Sequence, residues 1–416
     1  MKTTIQLLFI TLLSSMIFSC STGNKSSEEK SSPSELRLEK AKKLAEQFII
    51  TDGHIDLPYM LADMGYLDLK NTPDLVNGIA GEFDVPRAKS GGLDAPFMSI
   101  FIPASLQKSG GSKAMADSLI DLVNLINSSF PDHFAPASSP KDVQNNFQKG
   151  LISLPMGMEN GSPIETLEDV KYFYDRGIRY ITLTHGKVNQ ICDSSYDPER
   201  KWNGLSPFGK EVVLEMNRQG IMVDVSHISD SAFYQVMQIS EVPCIASHSS
   251  VRKFTPGFER NMSDDMIKLL AEKGGVIQIN FGSTFISQRS KDLWAKMKVA
   301  RKAYSEKMNL KESDSIVKIF EAVWLEKNNV FSNVKKVVDH IDHVVNLVGI
   351  DHVGLGSDFD GVGNSLPEGL KDVKDIPNLI DELLARNYSE EDLEKICSKN
   401  VFRVWNAVLD HAGKNE

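Results

Sequence analysis

Ser206 to His248 reads SPFGKEVVLEMNRQGIMVDVSHISDSAFYQVMQISEVPCIASH, and the fold can be worked out from this stretch. Ser206 offers a hydroxyl cap before Pro207 at a first helical position, and Pro207–Gln219 is amphipathic. Gly220 follows where a left-handed residue closes a helix. Ile221–His227 is a short β-branched run, Ser229–Ile239 is helical again, and Pro243–His248 is a second strand. Helix and strand alternate, which implies parallel strands covered by helices.

Outward from this unit the alternation recurs, giving about eight units in all. Further strands are predicted at Phe48–His54, Phe97–Ile102, Leu151–Glu159, Arg179–His185, Gly275–Phe281 and His352–Asp358. Helices are predicted at Ser112–Asn127, Thr166–Arg176, Ser263–Lys273 and Asn333–Val348, with Gly177 and Gly274 closing two of them. No Gly-rich phosphate loop follows any strand. The pattern therefore fits an α/β fold of the closed (β/α)8, TIM-barrel type better than an open doubly wound sheet.

The length of 416 residues permits one such barrel or two to three smaller domains. With 46 Lys+Arg against 56 Asp+Glu and no basic tail, nucleic acid is excluded as a partner. Four cysteines without a C-x-x-C pair exclude a disulfide scaffold and a structural zinc knot. Lys2, the apolar run Ile5–Phe18 and a small-residue end make a secretory signal too short to span a bilayer. Ile17-Phe18-Ser19-Cys20 is similar to a bacterial lipoprotein lipobox, which implies a signal over residues 1–19 and lipidation at Cys20. The expected location is the cell envelope, lipid-anchored and facing the periplasm or the surface. The Ser-rich stretch that follows reads as a flexible tether over residues 20–36, leaving 37–416 as a single domain.

Polar residues fall at the carboxyl ends of the predicted strands: His54, Glu159, His185, His227, His248 and Asp358. In a (β/α)8 barrel those ends converge on one mouth. His54 and Asp56, two apart, point to the same side of a strand, and Glu159 has two oxygens with which to bridge two cations. His227 and His248 end neighbouring strands and can share a cation. Asp358, among small residues, is placed to move a proton. Each alone could be a satisfied core histidine or a turn acid; together they form a metal constellation. Arg260 on its own reads as an exposed loop charge. Cys192 and Cys397 show no pairing signal, and Cys244 reads as a small packed apolar residue. His340, His343 and His352 read as solvated positions.

From about residue 45 to 410 the chain resembles the membrane (renal-type) dipeptidases, peptidase family M19, among the amidohydrolase-like metal-dependent hydrolases. The resemblance rests on Asp52–Pro58 (DGHIDLP), Arg179–His185 (RYITLTH), Gly204–Gly209 (GLSPFG), Val223–His227 (VDVSH), Ser247–Ser250 (SHSS), Arg260–Asp264 (RNMSD) and Gly356–Gly361 (GSDFDG). It implies two Zn²⁺ per chain, one held by His54, Asp56 and Glu159, the other by Glu159, His227 and His248. It also implies substrate contact by His185, Arg260 and Asp358, with Asp358 as proton shuttle and His185 as the group that polarises the carbonyl. The implied activity is that of a metallo-dipeptidase cleaving free dipeptides through a metal-bridging hydroxide, with D-residues tolerated at the C-terminal position. Glu159-Asn160-Gly161 and His248-Ser249-Ser250 depart from the family's usual Glu-Gly-Gly and His-Ser-Asn, which bears on specificity. The alternatives are a barrel hydrolase acting on a β-lactam, lactone or cyclic amide, and a lipid-anchored binding protein without activity. Besides dipeptides and a membrane lipid, a second copy of the chain is a candidate partner. Gln288–Asn333, rich in Lys and Glu, reads as a solvated helical insertion that could lid the pocket.

Overall fold

The computed structural model describes residues 32–413. The expected signal segment and Cys20 lie outside them. Eight parallel strands form one sheet: β1 (Ile50–Ile55), β2 (Leu93–Phe101), β3 (Met156–Glu159), β4 (Ile178–Thr182), β5 (Met222–Asp224), β6 (Ile245–Ser249), β7 (Val276–Ile279) and β8 (Val353–Leu355). Consecutive strands are neighbours throughout. The ring closes at the carboxyl end, where Ile55 bridges Phe359, Asp56 N–H donates to Phe359 O (2.9 Å) and Asp358 N–H donates to His54 O (3.1 Å). This is the TIM-type barrel expected from the alternation.

The predicted helices are present, and Pro207–Gln219 has the expected bounds. The Ser206 hydroxyl accepts from Gly209 N–H and the Ser263 hydroxyl from Met266 N–H, as their positions before the helices require. Gly177, Gly220 and Gly274 all take positive φ. Strand ends shift by a few residues from expectation, and two stretches differ in kind. Leu151–Glu159 is not one strand: Ile152–Ser153 pairs with Phe134–Ala135, and only Met156–Glu159 joins the barrel. Pro155 lies between them and has no N–H for a ladder. The stretch expected as tether ends early, because a helix runs from Pro33 to Gln47 behind a capping box of Ser32 and Glu35.

The amino-terminal end of the barrel is filled. Phe97, Tyr180, Met222, Ile245 and Val276 point inward and pack with Trp405 of the C-terminal helix Asn400–Ala412. Phe97 and Trp405 ring centroids are 5.2 Å apart. The interior is therefore a packed core, and the polar residues are left at the other end. No helix among the described residues is long and apolar enough to cross a membrane.

Candidate metal centre

All six strand-end residues meet at the carboxyl mouth. Glu159, at the end of β3, is buried, and its two oxygens face different partners. Oε1 lies 3.0 Å from His227 Nε2 and 3.1 Å from His248 Nε2, while Oε2 lies 3.5 Å from His54 Nε2. His54 Nε2 is also 3.4 Å from Asp56 Oδ2. The Nε2 atoms of His227 and His248 are 2.9 Å apart. Three groups of side chains have ligand atoms close enough to share an ion: His54, Glu159 and His248; Glu159, His185 and His227; His54, Asp56 and Asp358.

The chemistry of this donor set suits cations. His54 Nε2, Asp56 Oδ1 and His227 Nδ1 are buried without a hydrogen-bond partner. Leaving such atoms unpaired costs of order 1–3 kcal/mol each, which coordination removes for those that face an ion. Burial pushes His227 and His248 well below the ordinary histidine range, so they are neutral imidazoles able to donate a lone pair. Burial alone would raise Glu159, but the His185 and His54 imidazoles, with the His227 and His248 rings against its Oε1, hold it well below the usual carboxylate range.

Asp358 and His227 both have positive φ, 64° and 68°, a strained setting for residues other than glycine. That backbone turns their side chains over the mouth. Burial pushes the Asp358 carboxyl up to about 8, and Asn280 Nδ2 donates to its Oδ2 at 2.6 Å. Only Oδ1 is then left to face the cleft's chemistry. His185 is part-exposed, its Nε2 3.9 Å from Glu159 Oε1, and it packs against Phe101 and His227. A cavity of about 680 Å³ opens over these groups, lined also by Tyr59, Tyr196 and Phe285.

Arg260 is not an exposed loop charge: it is 2% exposed. Its guanidinium donates to Ser249 Oγ (2.7 Å) and His248 O (2.8 Å) and lies over the Phe285 ring, while Nε has no partner. His340 is likewise not solvated. It is fully buried, accepts from Val251 N–H at Nδ1 (3.0 Å) and reaches Ile286 O through Nε2 (3.2 Å). His343 pairs with Asp264 and His352 with Gly275 O. Cys192, Cys244 and Cys397 are buried free thiols. The insertion forms helices Gln288–Met308 and Ser315–Lys327 and does not line the central cavity; it borders an adjoining one through Lys291, Trp294 and Lys298.

Asn280, which holds Asp358, was missed by sequence reasoning, although it stands just past β7, where the other strands place the polar residues of the mouth. Tyr180, Asp224 and Ser247, which lie beneath the mouth, carried no such signal.

The family model described as membrane dipeptidase, peptidase family M19, matches residues 38–416. Dipeptidase aclJ of Aspergillus oryzae is 33% identical over 365 residues, covering 85% of this chain and 77% of its own. The crystal structure of the probable dipeptidase PvdM from Pseudomonas aeruginosa aligns with a TM-score of 0.76 at 26% identity, covering 91% of this chain and 99% of that one. A metallo peptidase from Rhodobacter sphaeroides, solved with a phosphinate mimic of L-Ala-D-Ala, shares the fold at a TM-score of 0.69 and 21% identity, over 87% of this chain and 99% of its own. The chain belongs to the membrane dipeptidase family, peptidase family M19.

Proposed function

We propose that the protein is a zinc-dependent dipeptidase with two ions per chain. The observation that carries the reading is the division of the Glu159 carboxylate, one oxygen toward His227 and His248 and the other toward His54. His54, Asp56 and Glu159 would hold one ion, and Glu159, His227 and His248 the other. When bound, such ions acidify water and polarise a carbonyl.

The remaining roles belong to the chain's own residues. Arg260 receives the free carboxylate of the substrate with its unpartnered Nε–H and the remaining Nη hydrogens. A longer peptide has no charge at that point, so short substrates are favoured. His185, beside Glu159 at the edge of the cavity, steadies the carbonyl oxygen as negative charge develops on it. Asp358 takes a proton from the attacking water at Oδ1 and returns it to the departing amine nitrogen, so that the C–N bond breaks to give two free amino acids. Asn280 keeps the carboxyl aimed.

The test is zinc content of the purified protein together with hydrolysis of a free dipeptide panel, including D-residues at the second position because the Rhodobacter sphaeroides fold relative was solved with an L-Ala-D-Ala mimic. About two equivalents of zinc and chelator-sensitive cleavage are expected. Full turnover after exhaustive chelation, or cleavage confined to lactones or β-lactams in the same panel, would refute the reading. We further propose, from the sequence Ile17–Cys20, that the protein is lipid-anchored at Cys20 in a bacterial envelope; mass spectrometry of the mature N-terminus tests this.

A further inference from the structure

Two of the imidazoles at the mouth are backed by hydroxyl groups whose own hydrogens are directed elsewhere. Ser247 Oγ lies 2.7 Å from His248 Nδ1 and donates to Asp224 Oδ2 at 2.7 Å. Asp224, fully buried, also accepts from Thr182 Oγ1 at 2.5 Å on Oδ2, and from Ser226 N–H (3.1 Å) and Ser247 N–H (2.8 Å) on Oδ1. A carboxylate surrounded by four donors only accepts. The single Ser247 hydroxyl hydrogen is therefore directed to Asp224, and the Ser247 oxygen accepts from the imidazole. That requires hydrogen on His248 Nδ1 and a bare lone pair on Nε2.

The same logic holds at His54. The Tyr180 hydroxyl lies 2.8 Å from His54 Nδ1 and donates to Gly53 O at 3.0 Å. A carbonyl cannot donate, so the phenol oxygen accepts from Nδ1–H, and Nε2 is left to face Asp56 Oδ2 and Glu159 Oε2. The ring is fixed from below, because any Cβ on Gly157 would stand 2.0 Å from Tyr180 Cζ.

His227 has no such backing. Its Nδ1 is buried without a partner, and its Nε2 is within 2.9 Å of His248 Nε2 and 3.0 Å of Glu159 Oε1. With both neighbours bare, His227 carries its hydrogen on Nε2 when no ion is present.

We propose that Asp224, acting through Ser247, and Tyr180, anchored on Gly53 O, are positioning residues that hold hydrogen on Nδ1 of His248 and His54. Their Nε2 atoms then face the cation site in advance, while His227 is the imidazole that changes tautomer on binding. The inference rests on the proposed metal site, since tautomer matters here only through what Nε2 binds.

The decisive substitution is Asp224→Asn. The amide would donate to Ser247 Oγ, the serine hydrogen would turn to His248 Nδ1, and His248 would be forced to Nε2–H. The experiment uses the full-length chain stripped of metal and labelled with ¹⁵N-histidine, its imidazole resonances assigned with single His→Gln variants. In wild type, His54 and His248 should both carry hydrogen on Nδ1, and His227 should give an Nε2–H pattern. Asp224→Asn should convert His248 alone and weaken zinc binding, titrated against a chelator, by roughly 10- to 100-fold. Ser247→Thr, which keeps the hydroxyl, should behave as wild type, and Ser247→Ala should not. His248 remaining Nδ1–H in Asp224→Asn or, should that variant not fold, in Ser247→Ala, with zinc affinity within twofold of wild type, would overturn the proposal. If the tautomers are as stated but wild type binds no zinc, the metal reading fails and the hydroxyl assignment stands.

Discussion

Gly361 follows Asp360 in the turn after β8, and a methyl group there is the sharpest single probe of the site. A Cβ built on Gly361 would stand 2.1 Å from Asp56 Oδ2 and 2.2 Å from Asp358 Oδ1. Contacts below 3.0 Å are not tolerated, so in Gly361→Ala the two carboxylates must retreat by about 0.8–0.9 Å. The backbone itself accepts alanine, because Gly361 is not among the positive-φ glycines. The cost therefore falls on the positions of Asp56 and Asp358 and not on the fold. A misplacement near 1 Å costs of order 100-fold in rate, about 2.7 kcal/mol of barrier. The assay is kcat/KM on a free dipeptide, with zinc content and thermal melting of the same preparation. We expect about a 100-fold loss with the melting temperature shifted by no more than a few degrees. Turnover within fivefold of wild type at full zinc occupancy would refute the view that these carboxylates are held to sub-ångström tolerance. So would a loss explained entirely by unfolding.

Other expectations follow from the same geometry. Glu159→Gln should lower zinc content at both positions together, whereas Asp56→Asn should reduce only one; equal effects in a metal titration would contradict a bridging carboxylate. Arg260→Ala should raise KM for free dipeptides by ~10- to 100-fold, the worth of a charged hydrogen bond, with kcat less affected; an unchanged KM would remove Arg260 from substrate binding. Burial brings His340 down to about 4 from an ordinary value of 6.5. A lowered folded-state value leaves stability intact above pH 6.5 and erodes it as pH falls toward 4, to a total of about 3 kcal/mol. Between pH 7 and pH 5 the unfolding free energy of His340→Asn should thus fall by about 2 kcal/mol less than that of wild type, and parallel curves in urea titrations would exclude the effect. Trp405→Ala should cost about 3–5 kcal/mol by emptying the barrel floor; a loss below about 1 kcal/mol would show that the floor collapses to fill the space.

Much of this architecture was legible before coordinates. A strand that ends in a polar residue after an apolar run announces itself, because buried apolar side chains and a convergent mouth are both written into the order of residues. His54, Glu159, His227, His248 and Asp358 were found that way. Arg260 and His340 were misjudged from local pattern, since neither stands at a strand end and burial of a charge or an imidazole depends on what other segments lay over it. Ser249 and Phe285 bury Arg260; Val251, Phe254 and Ile286 enclose His340. The hydroxyls of Tyr180 and Ser247 were invisible for a related reason: Tyr180 meets β1, Ser247 meets Asp224 of β5, and a hydrogen's direction is not encoded in spacing. The split at Pro155 was legible in principle, as a residue lacking an N–H within an otherwise plausible strand.

The closure of the barrel by β1 against the segment after β8 sets an order of events during biosynthesis. Ile55 and Phe359 bridge opposite ends of the domain's sequence, and His54 and Asp56 reach Asp358 only across that seam. Until the last strand has emerged from the ribosome, the first has no neighbour on one side and half of the centre has no counterpart. A nascent chain can therefore gather its imidazoles from β5 and β6 early but cannot complete the pocket. Long-range closure of this kind is also slow, because loop entropy must be overcome before the pairing rewards it. Completion of the candidate site is consequently a post-translational step, coupled to the joining of the two ends.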